Sequence, residues 1–315
     1  LFVLDEKERL VGTLTDGDIR RKLIEGVSIT EKVADVMNTR FHFVRRDELR
    51  VETIKQIKAL GINLLPVLRN DNTIIEVYNL QKKKSILPLD AILMAGGKGE
   101  RLRPLTETIP KPLLKVGTKA IIDYNVDNLI SYGVNYINVT TNYLGEQIER
   151  HFETTRDGIK ITCVREPQYL GTIGSIKCIK SFHNDTILLM NSDLFTNINF
   201  EEFFVHFQRN KADMSVAAIP YSVSIPYGIL ELEERQVKDI HEKPTYNYYA
   251  NSGIYLIKRE LLELIPDGMF YNATDFMHKL IQEGYNVVRF PLVGYWIDIG
   301  KSEDYKRAQE FVKHL

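Results

Sequence analysis

The chain has 315 residues, 44% of them hydrophobic, with 41 basic and 42 acidic side chains and a formal net charge of −1. That length allows one large domain with a smaller companion, each able to bury a core. The charge balance offers no broad basic field for nucleic acid or for an anionic membrane, so affinity for phosphate must be local, and a small charged substrate is the expected partner. No apolar run approaches the roughly 18 residues of a membrane span, which points to a soluble, cytoplasmic protein. Cys163 and Cys178 have neither C-x-x-C spacing nor paired histidines that would suggest zinc, and both are expected to be buried hydrophobes. The chain begins with Leu1 rather than Met, so upstream sequence is expected to be missing, and a targeting segment there stays open.

The first 88 residues contain an internal repeat. The segment from Val3 to Val11 aligns without a gap on that from Val67 to Ile75, and each copy reads as strand, polar turn, strand. Between the copies, residues 30–37 and 49–60 read as helices, the second with Val51, Ile54, Ile57 and Leu60 on one face. The strings GTLTDGDI at 12–19 and ADVM at 34–37 resemble a pair of CBS modules whose first copy lacks its opening strand and helix. In that family a Thr-x-x-Asp pattern, here Thr15 and Asp18, holds the phosphate and ribose of an adenine nucleotide, which makes these two residues a candidate regulatory nucleotide site. The second copy has Tyr78-Asn79-Leu80-Gln81 at the matching place, so at most one such site survives. The alternative for Thr15 and Asp18 is a helix N-cap before the run IRRKL. The charged run QKKKS, closed by Pro88, marks a linker. The expected boundaries are residues 1–84 for the CBS pair, 85–88 for the linker and 89–315 for a catalytic domain.

Residues 89–112 read LDAILMAGGKGERLRPLTETIPKP. The apolar run 91–95 is a buried strand that ends in a loop bearing Gly96, Gly97 and Gly99. Glycines let backbone N–H groups close around an anion, and Lys98, Arg101, Arg103 and Lys111 add cationic charge nearby, so the stretch outlines a polyphosphate cradle. A dinucleotide fingerprint needs a third glycine where Leu102 stands, and no G-x-x-x-x-G-K-[ST] string occurs. What remains, G-G-x-G-x-R-L-x-P-L-T followed by P-K-P, resembles the signature of the sugar-1-phosphate nucleotidyltransferases.

From residue 89 onward strands alternate with helices: helix 121–132, strand 136–140, helix 144–152, strand 159–164. Further strands are expected at 214–220, 228–232 and 253–257. The fold class is therefore α/β, a Rossmann-like mixed sheet with helices on both faces, preceded by a small α+β module.

Two aspartates stand out. Asp193 ends the apolar strand TILLMN, at the carboxyl end where ligands collect in open α/β sheets, and Asp298 lies in the otherwise apolar segment GYWIDIG. Mg2+ favours one or two carboxylates plus phosphate oxygens, and the resemblance assigns these two residues to it. Taken singly, Asp193 could instead cap a helix at 200–208, and Asp298 could form a turn with Gly300.

The resemblance also implies the remaining roles. Ala95, Gly96, Gly97, Gly99, Gly171 and Thr172 would bind the nucleotide, Arg101 its β and γ phosphates, and Lys111 would bridge the α-phosphate and the incoming phosphate. Gly228, Glu242, Lys243 and Asn251 would hold the sugar 1-phosphate, unless Glu242 and Lys243 are a plain surface ion pair. Glu166, five positions before Gly171, would face the base. A carboxylate only accepts hydrogen bonds, and guanine alone offers two adjacent donors, so Glu166 points to GTP; the alternative is that it pairs with Arg165 or a nearby lysine. The expected activity is Mg2+-dependent transfer of a nucleoside monophosphate from a nucleoside triphosphate, GTP first, to a sugar 1-phosphate, for cell-surface glycan precursors. The alternatives are a uridylyl, cytidylyl or thymidylyl transferase of the same fold, or a nucleotide-sensing binding protein with a weakly active transferase domain. The protein is expected to be a candidate homo-oligomer. The sugar is not legible, because hydroxyl readers sit in loops such as 222–227 and 246–249.

Overall fold

The computed structural model describes residues 1–45 and 48–314, which divide into two compact units, Leu1–Pro88 with Ser131–Gly133, and Leu89–Ile130 with Val134–Leu315. In the first unit β1 (Phe2–Leu4) pairs antiparallel with β2 (Leu10–Thr13), followed by α1 (Asp16–Ile24) and α2 (Val33–Val36). Then come β3 (Val44–Arg45), α3 (Val51–Ala59), β4 (Leu64–Leu68) and β5 (Ile74–Asn79), with β4 parallel to β3 and antiparallel to β5. Both copies of the repeat are thus antiparallel hairpins. Helix α3 turns Ile54 and Ile57 onto Val44, Leu65, Val67 and Tyr78, which form this unit's core. The helix expected over 30–37 shrinks to α2. Ser28 and Thr30 spend their hydroxyls on each other at 2.8 Å, and Lys32 offers no side-chain cap to the β-branched Val33.

The larger unit is built on a seven-stranded mixed sheet. Its strands are β6 (Asp90–Ala95), β9 (Tyr136–Thr141), β10 (Ile161–Arg165), β11 (Thr186–Asn191), β13 (Met214–Ser224), β16 (Thr245–Lys258) and β17 (Val287–Pro291), in the order β10-β9-β6-β11-β16-β13-β17. The run β10-β9-β6-β11 is parallel, β16 is antiparallel to both neighbours, and β13 is parallel to β17. Ile92 and Leu93 in β6, and Ile187 to Met190 in β11, are fully buried. Central parallel strands covered on both faces need this unbroken apolar sequence.

The remaining elements are the hairpin β7 (Lys115–Val116) and β8 (Lys119–Ala120), α4 (Ile121–Ser131), α5 (Gly145–His151), β12 (Leu194–Thr196), α6 (Phe200–Arg209), the hairpin β14 (Ile229–Glu233) and β15 (Gln236–His241), α7 (Ala273–Gln282), β18 (Trp296–Asp298) and α8 (Ser302–Val312). Helix α6 buries Phe200, Phe203, Phe204 and Phe207 on one stripe. Asn199 caps it by accepting from the amides of Glu201 and Glu202, so Asp193 is not the cap of this helix. Sequence periodicity caught only the buried ends of β13 and β16. Beyond Ile219 the two continue as an exposed ribbon, Ser224 pairing Thr245, where no buried face imposes alternation. Among the described residues no helix is long and apolar enough to cross a membrane.

Candidate active site

Strand β6 delivers Ala95 to the carboxyl edge of the sheet, and the glycine loop follows. Gly99 has φ 63°, a left-handed turn that an L side chain would strain, and its carbonyl accepts from Thr106 Oγ1 at 2.9 Å. A 3-10 turn over Glu100–Leu102 drives Leu102 into a buried cluster with Leu114, Phe195, Ile297 and Ile299, which fixes the loop beneath Arg101. A second 3-10 turn, Lys111–Leu113, brings Lys111 back to the same edge. The cleft so formed holds about 600 Å3 and is lined by Ala95, Gly96, Gly97, Gly99, Arg101, Lys111, Glu166, Gly171, Thr172 and Asp193. Sequence positions spread over a hundred residues therefore meet on one surface.

The two aspartates meet because β12 pairs antiparallel with β18, setting Leu194 against Asp298, while the amide of Ile299 donates to the Asp193 carbonyl at 3.3 Å. Lys111, only 8% exposed, donates to Asp193 Oδ2 and lies 3.8 Å from Asp298 Oδ1. A lysine so buried needs such partners. Asp193 Oδ1, by contrast, is buried with no hydrogen-bond partner. Burial, then the Asp193 charge, pushes the Asp298 carboxyl above the usual range, while Lys111 and Arg101 pull the other way. One lysine thus faces two carboxylates, one of them with an orphaned oxygen. An all-oxygen pair in which one buried oxygen lacks a partner fits a hard divalent cation such as Mg2+.

Sequence reasoning missed the residues that hold this pair. Asn125 on α4, 4% exposed, donates to the carbonyls of Ser192 at 3.2 Å and Leu194 at 2.9 Å, clamping both sides of Asp193. A buried Asn on an otherwise apolar helix face was the available signal. Gly300 was noted only as a turn partner, yet a Cβ there would stand 3.2 Å from the Arg101 guanidinium, so its bare backbone leaves room for that side chain. Asn142, Tyr169 and Asn191 also line the cleft.

Glu166 is 3% exposed and its Oε2 accepts from the Leu170 amide at 2.9 Å. Burial raises its carboxyl above the ordinary range, partly offset by that hydrogen bond. The expected alternative, an ion pair with Arg165, is not formed: Arg165 turns to Glu149 at 2.8 Å and Glu146 at 3.1 Å.

Gly228, Glu242, Lys243 and Asn251 are not among the residues lining the cleft. Gly228 precedes β14 and Glu242 follows β15, and a Cβ on Gly228 would lie 3.0 Å from Glu242 Oε2, so the two flank the base of the hairpin. Lys243 is exposed in a left-handed conformation, φ 45°. Asn251 on β16 turns inward along its own strand, donating to Tyr255 Oη at 2.8 Å and accepting from the Gly253 amide at 2.9 Å. Thr15 and Asp18, in the first unit, form a capping box on α1, with Asp18 also paired to Arg21. The cap chemistry is therefore realised there.

The nucleotidyl transferase family profile matches residues 90–314, nearly all of the unit that carries the cleft. The chain belongs to the nucleotidyl transferase family. Among its relatives, the putative mannose-1-phosphate guanyltransferase of Sulfolobus acidocaldarius is 32% identical over 223 residues, 70% of this chain and 62% of that protein. The UTP–glucose-1-phosphate uridylyltransferase of Synechocystis is 28% identical over 242 residues, 70% of this chain and 62% of its own length. The chain thus spans about 62% of the length of these curated relatives. Among solved structures, HddC from Yersinia pseudotuberculosis is similar with a TM-score of 0.56 and 25% identity, over 71% of this chain and 99% of that one. The mixed sheet is that of a nucleotidyl transferase.

Proposed function

We propose that this chain transfers a nucleoside monophosphate, from GTP before other triphosphates, to a sugar 1-phosphate. The observation that carries the reading is Lys111, held between Asp193 and Asp298 at the foot of the glycine loop. The sugar 1-phosphate oxygen attacks the α-phosphorus in line, a P–O bond forms to the sugar phosphate, and the α–β bridging bond breaks to release pyrophosphate with the electron pair. Nucleophile and leaving group are already anionic, so no general base is required and positioning with charge neutralisation does the catalysis. The loop amides and Arg101 hold the β and γ phosphates. Lys111 contacts both reacting phosphates and gains most as charge concentrates at phosphorus. Mg2+, held by Asp193 and Asp298, offsets triphosphate charge when bound.

The lean to guanine rests on Glu166, a buried acceptor in the cleft wall, and agrees with the name of the Sulfolobus relative. A uridylyl transferase is the second reading, favoured by the Synechocystis relative. On the acceptor side, Lys243 neutralises the sugar phosphate and Glu242 accepts from sugar hydroxyls at the hairpin base. The first unit, read as a CBS-like pair, is a candidate nucleotide sensor through Thr15 and Asp18. The test is a panel of five nucleoside triphosphates against several sugar 1-phosphates, scored for Mg2+-dependent pyrophosphate release. Turnover with GTP and a hexose 1-phosphate supports the reading, and preference for UTP or CTP overturns its guanine part.

A further inference from the structure

The loop that carries Glu166 also carries Tyr169, which lines the same cleft as Gly96, Glu166 and Asp193. Its ring is 46% exposed and is held edge-on by Phe270, with ring centroids 5.8 Å apart. Backbone hydrogen bonds fix this brace in place. The Tyr271 amide donates to the Leu170 carbonyl at 3.0 Å, and the Tyr271 carbonyl accepts from the amides of Ile173 at 3.1 Å and Gly174 at 3.2 Å. Gln168 Nε2 donates to the Gly268 carbonyl at 3.3 Å, and the first amide of α7, on Ala273, donates to Thr172 Oγ1 at 2.8 Å. A Cβ on Gly171 would stand 2.6 Å from the Tyr271 carbonyl oxygen, so the bare glycine lets the two segments lie this close. Tyr169 is therefore presented to the cleft on a rigid frame.

The Tyr169 hydroxyl has no hydrogen-bond partner among the described residues. Burial, then the charges of Glu166 and Asp193, hold the phenol above its usual range, so it stays protonated and able to donate at neutral pH. Its neighbours in the cleft wall are committed elsewhere: the Thr172 hydroxyl to α7, and Asn142 Nδ2 to the Glu166 carbonyl at 3.4 Å. A nucleotide whose base meets Glu166 and whose phosphates lie toward Asp193 has its ribose between them. We propose that Tyr169 holds that ribose, its ring covering one face of the nucleoside and its hydroxyl donating to a ribose hydroxyl oxygen, so that the site prefers ribonucleotides to their deoxy counterparts. The assignment rests on the transferase reading above and adds to it a residue that selects the nucleotide's sugar, where Glu166 selects its base. Phe270 touches Tyr169 and is not among the residues lining the cleft, which makes it a positioning residue.

Dissociation constants of GTP, 2′-deoxyGTP and 3′-deoxyGTP are measured by calorimetry on the full chain in excess Mg2+, without sugar 1-phosphate so that no transfer intervenes, and the three uracil counterparts are run in parallel. Wild type binds the ribonucleotide about five- to tenfold more tightly than at least one deoxy analogue. Tyr169→Phe brings the ribonucleotide down to the level of that analogue and leaves the analogue where it was, while Tyr169→Ala weakens all three. Phe270→Leu narrows the ribose preference and adds nothing further when combined with Tyr169→Phe. Equal weakening of all three nucleotides by Tyr169→Phe moves the hydroxyl to the phosphates and overturns the assignment, as does a ribose preference that survives that substitution while transfer itself proceeds. A wild-type chain that binds neither series overturns the transferase reading, and this assignment with it.

Discussion

Glu166 Oε1 fills the space that a Cβ on Gly96 would need. The carboxylate and the glycine loop are therefore one fitted surface. Gly96→Ala should displace Glu166 rather than the β6 backbone, since Gly96 is not held at positive φ. We expect kcat/KM for GTP to fall at least about tenfold, with the melting temperature nearly unchanged. Unaltered GTP kinetics would place the base elsewhere.

Glu166→Gln tests the same contact without a steric change. A carboxylate facing carbonyls on the wrong base should cost roughly 2 to 4 kcal/mol, a discrimination of tens to about a thousandfold. The amide can donate as well as accept, so the GTP to UTP ratio in kcat/KM should contract toward one. A ratio that stays put assigns discrimination to backbone groups.

Asp298→Asn is nearly isosteric and should leave the fold intact. It removes one of two carboxylates around an uncompensated Asp193 oxygen, so turnover should drop by orders of magnitude at any Mg2+ concentration. Near wild-type turnover would refute the metal assignment.

Much of this site was legible in sequence because its parts are local. The strand, three glycines and P-K-P lie within one stretch, and the structure brings the glycines and Lys111 together in the lining of one cleft. Asp193 was legible as the end of an apolar strand. What brings Asp298 to it is a three-residue pairing, β12 with β18, too short to leave a periodic signal. Asn125 left only the signal of a polar residue on an apolar helix face, because its partners are backbone carbonyls far away in sequence, which no side-chain pattern encodes. Likewise the exposed halves of β13 and β16 bury no face, so periodicity had nothing to report.

Asn125→Leu should loosen the clamp on Asp193. Two carbonyls lose a buried donor, at a cost of about 2 to 4 kcal/mol, and thermal unfolding should come several degrees earlier. Activity should fall further than stability accounts for when both are compared well below the melting temperature. A variant as stable and active as wild type would show the clamp to be incidental.

Acid stability should depend on Asp123. It is 5% exposed; burial alone would raise its carboxyl, but His151 Nε2 at 2.7 Å and Arg156 at 2.8 Å hold it below the ordinary value of 3.8. A depressed carboxyl contributes stability that is fully present above the unfolded value and lost as pH falls through the folded one. Wild type should therefore lose stability steeply below about pH 4. Asp123→Asn should be destabilised at neutral pH by on the order of 2 kcal/mol, discounted because Arg156 is partly exposed, and its stability should vary less across the acid range. Parallel denaturant midpoints for the two proteins from pH 7 to 3 would count against this role.

Lys111 is the sharpest test of the proposed mechanism. It is nearly buried, donates to Asp193 and lies within reach of Asp298, so the fold already holds its ammonium in place before substrate arrives. A preorganised cation costs little reorganisation as charge gathers at the α-phosphorus, and its contact strengthens from ground state to transition state. Lys111→Ala should therefore lower kcat by a hundredfold or so, while the dissociation constant of the triphosphate, whose β and γ phosphates the proposal gives to Arg101 and the loop amides, rises far less. Lys111→Arg should recover little, because a planar fork cannot occupy a pocket shaped for a compact ammonium between two carboxylates. If instead Lys111→Ala raises the Michaelis constant for the nucleotide and spares kcat, the residue only binds, and bridging of the two phosphates is the wrong account of transfer.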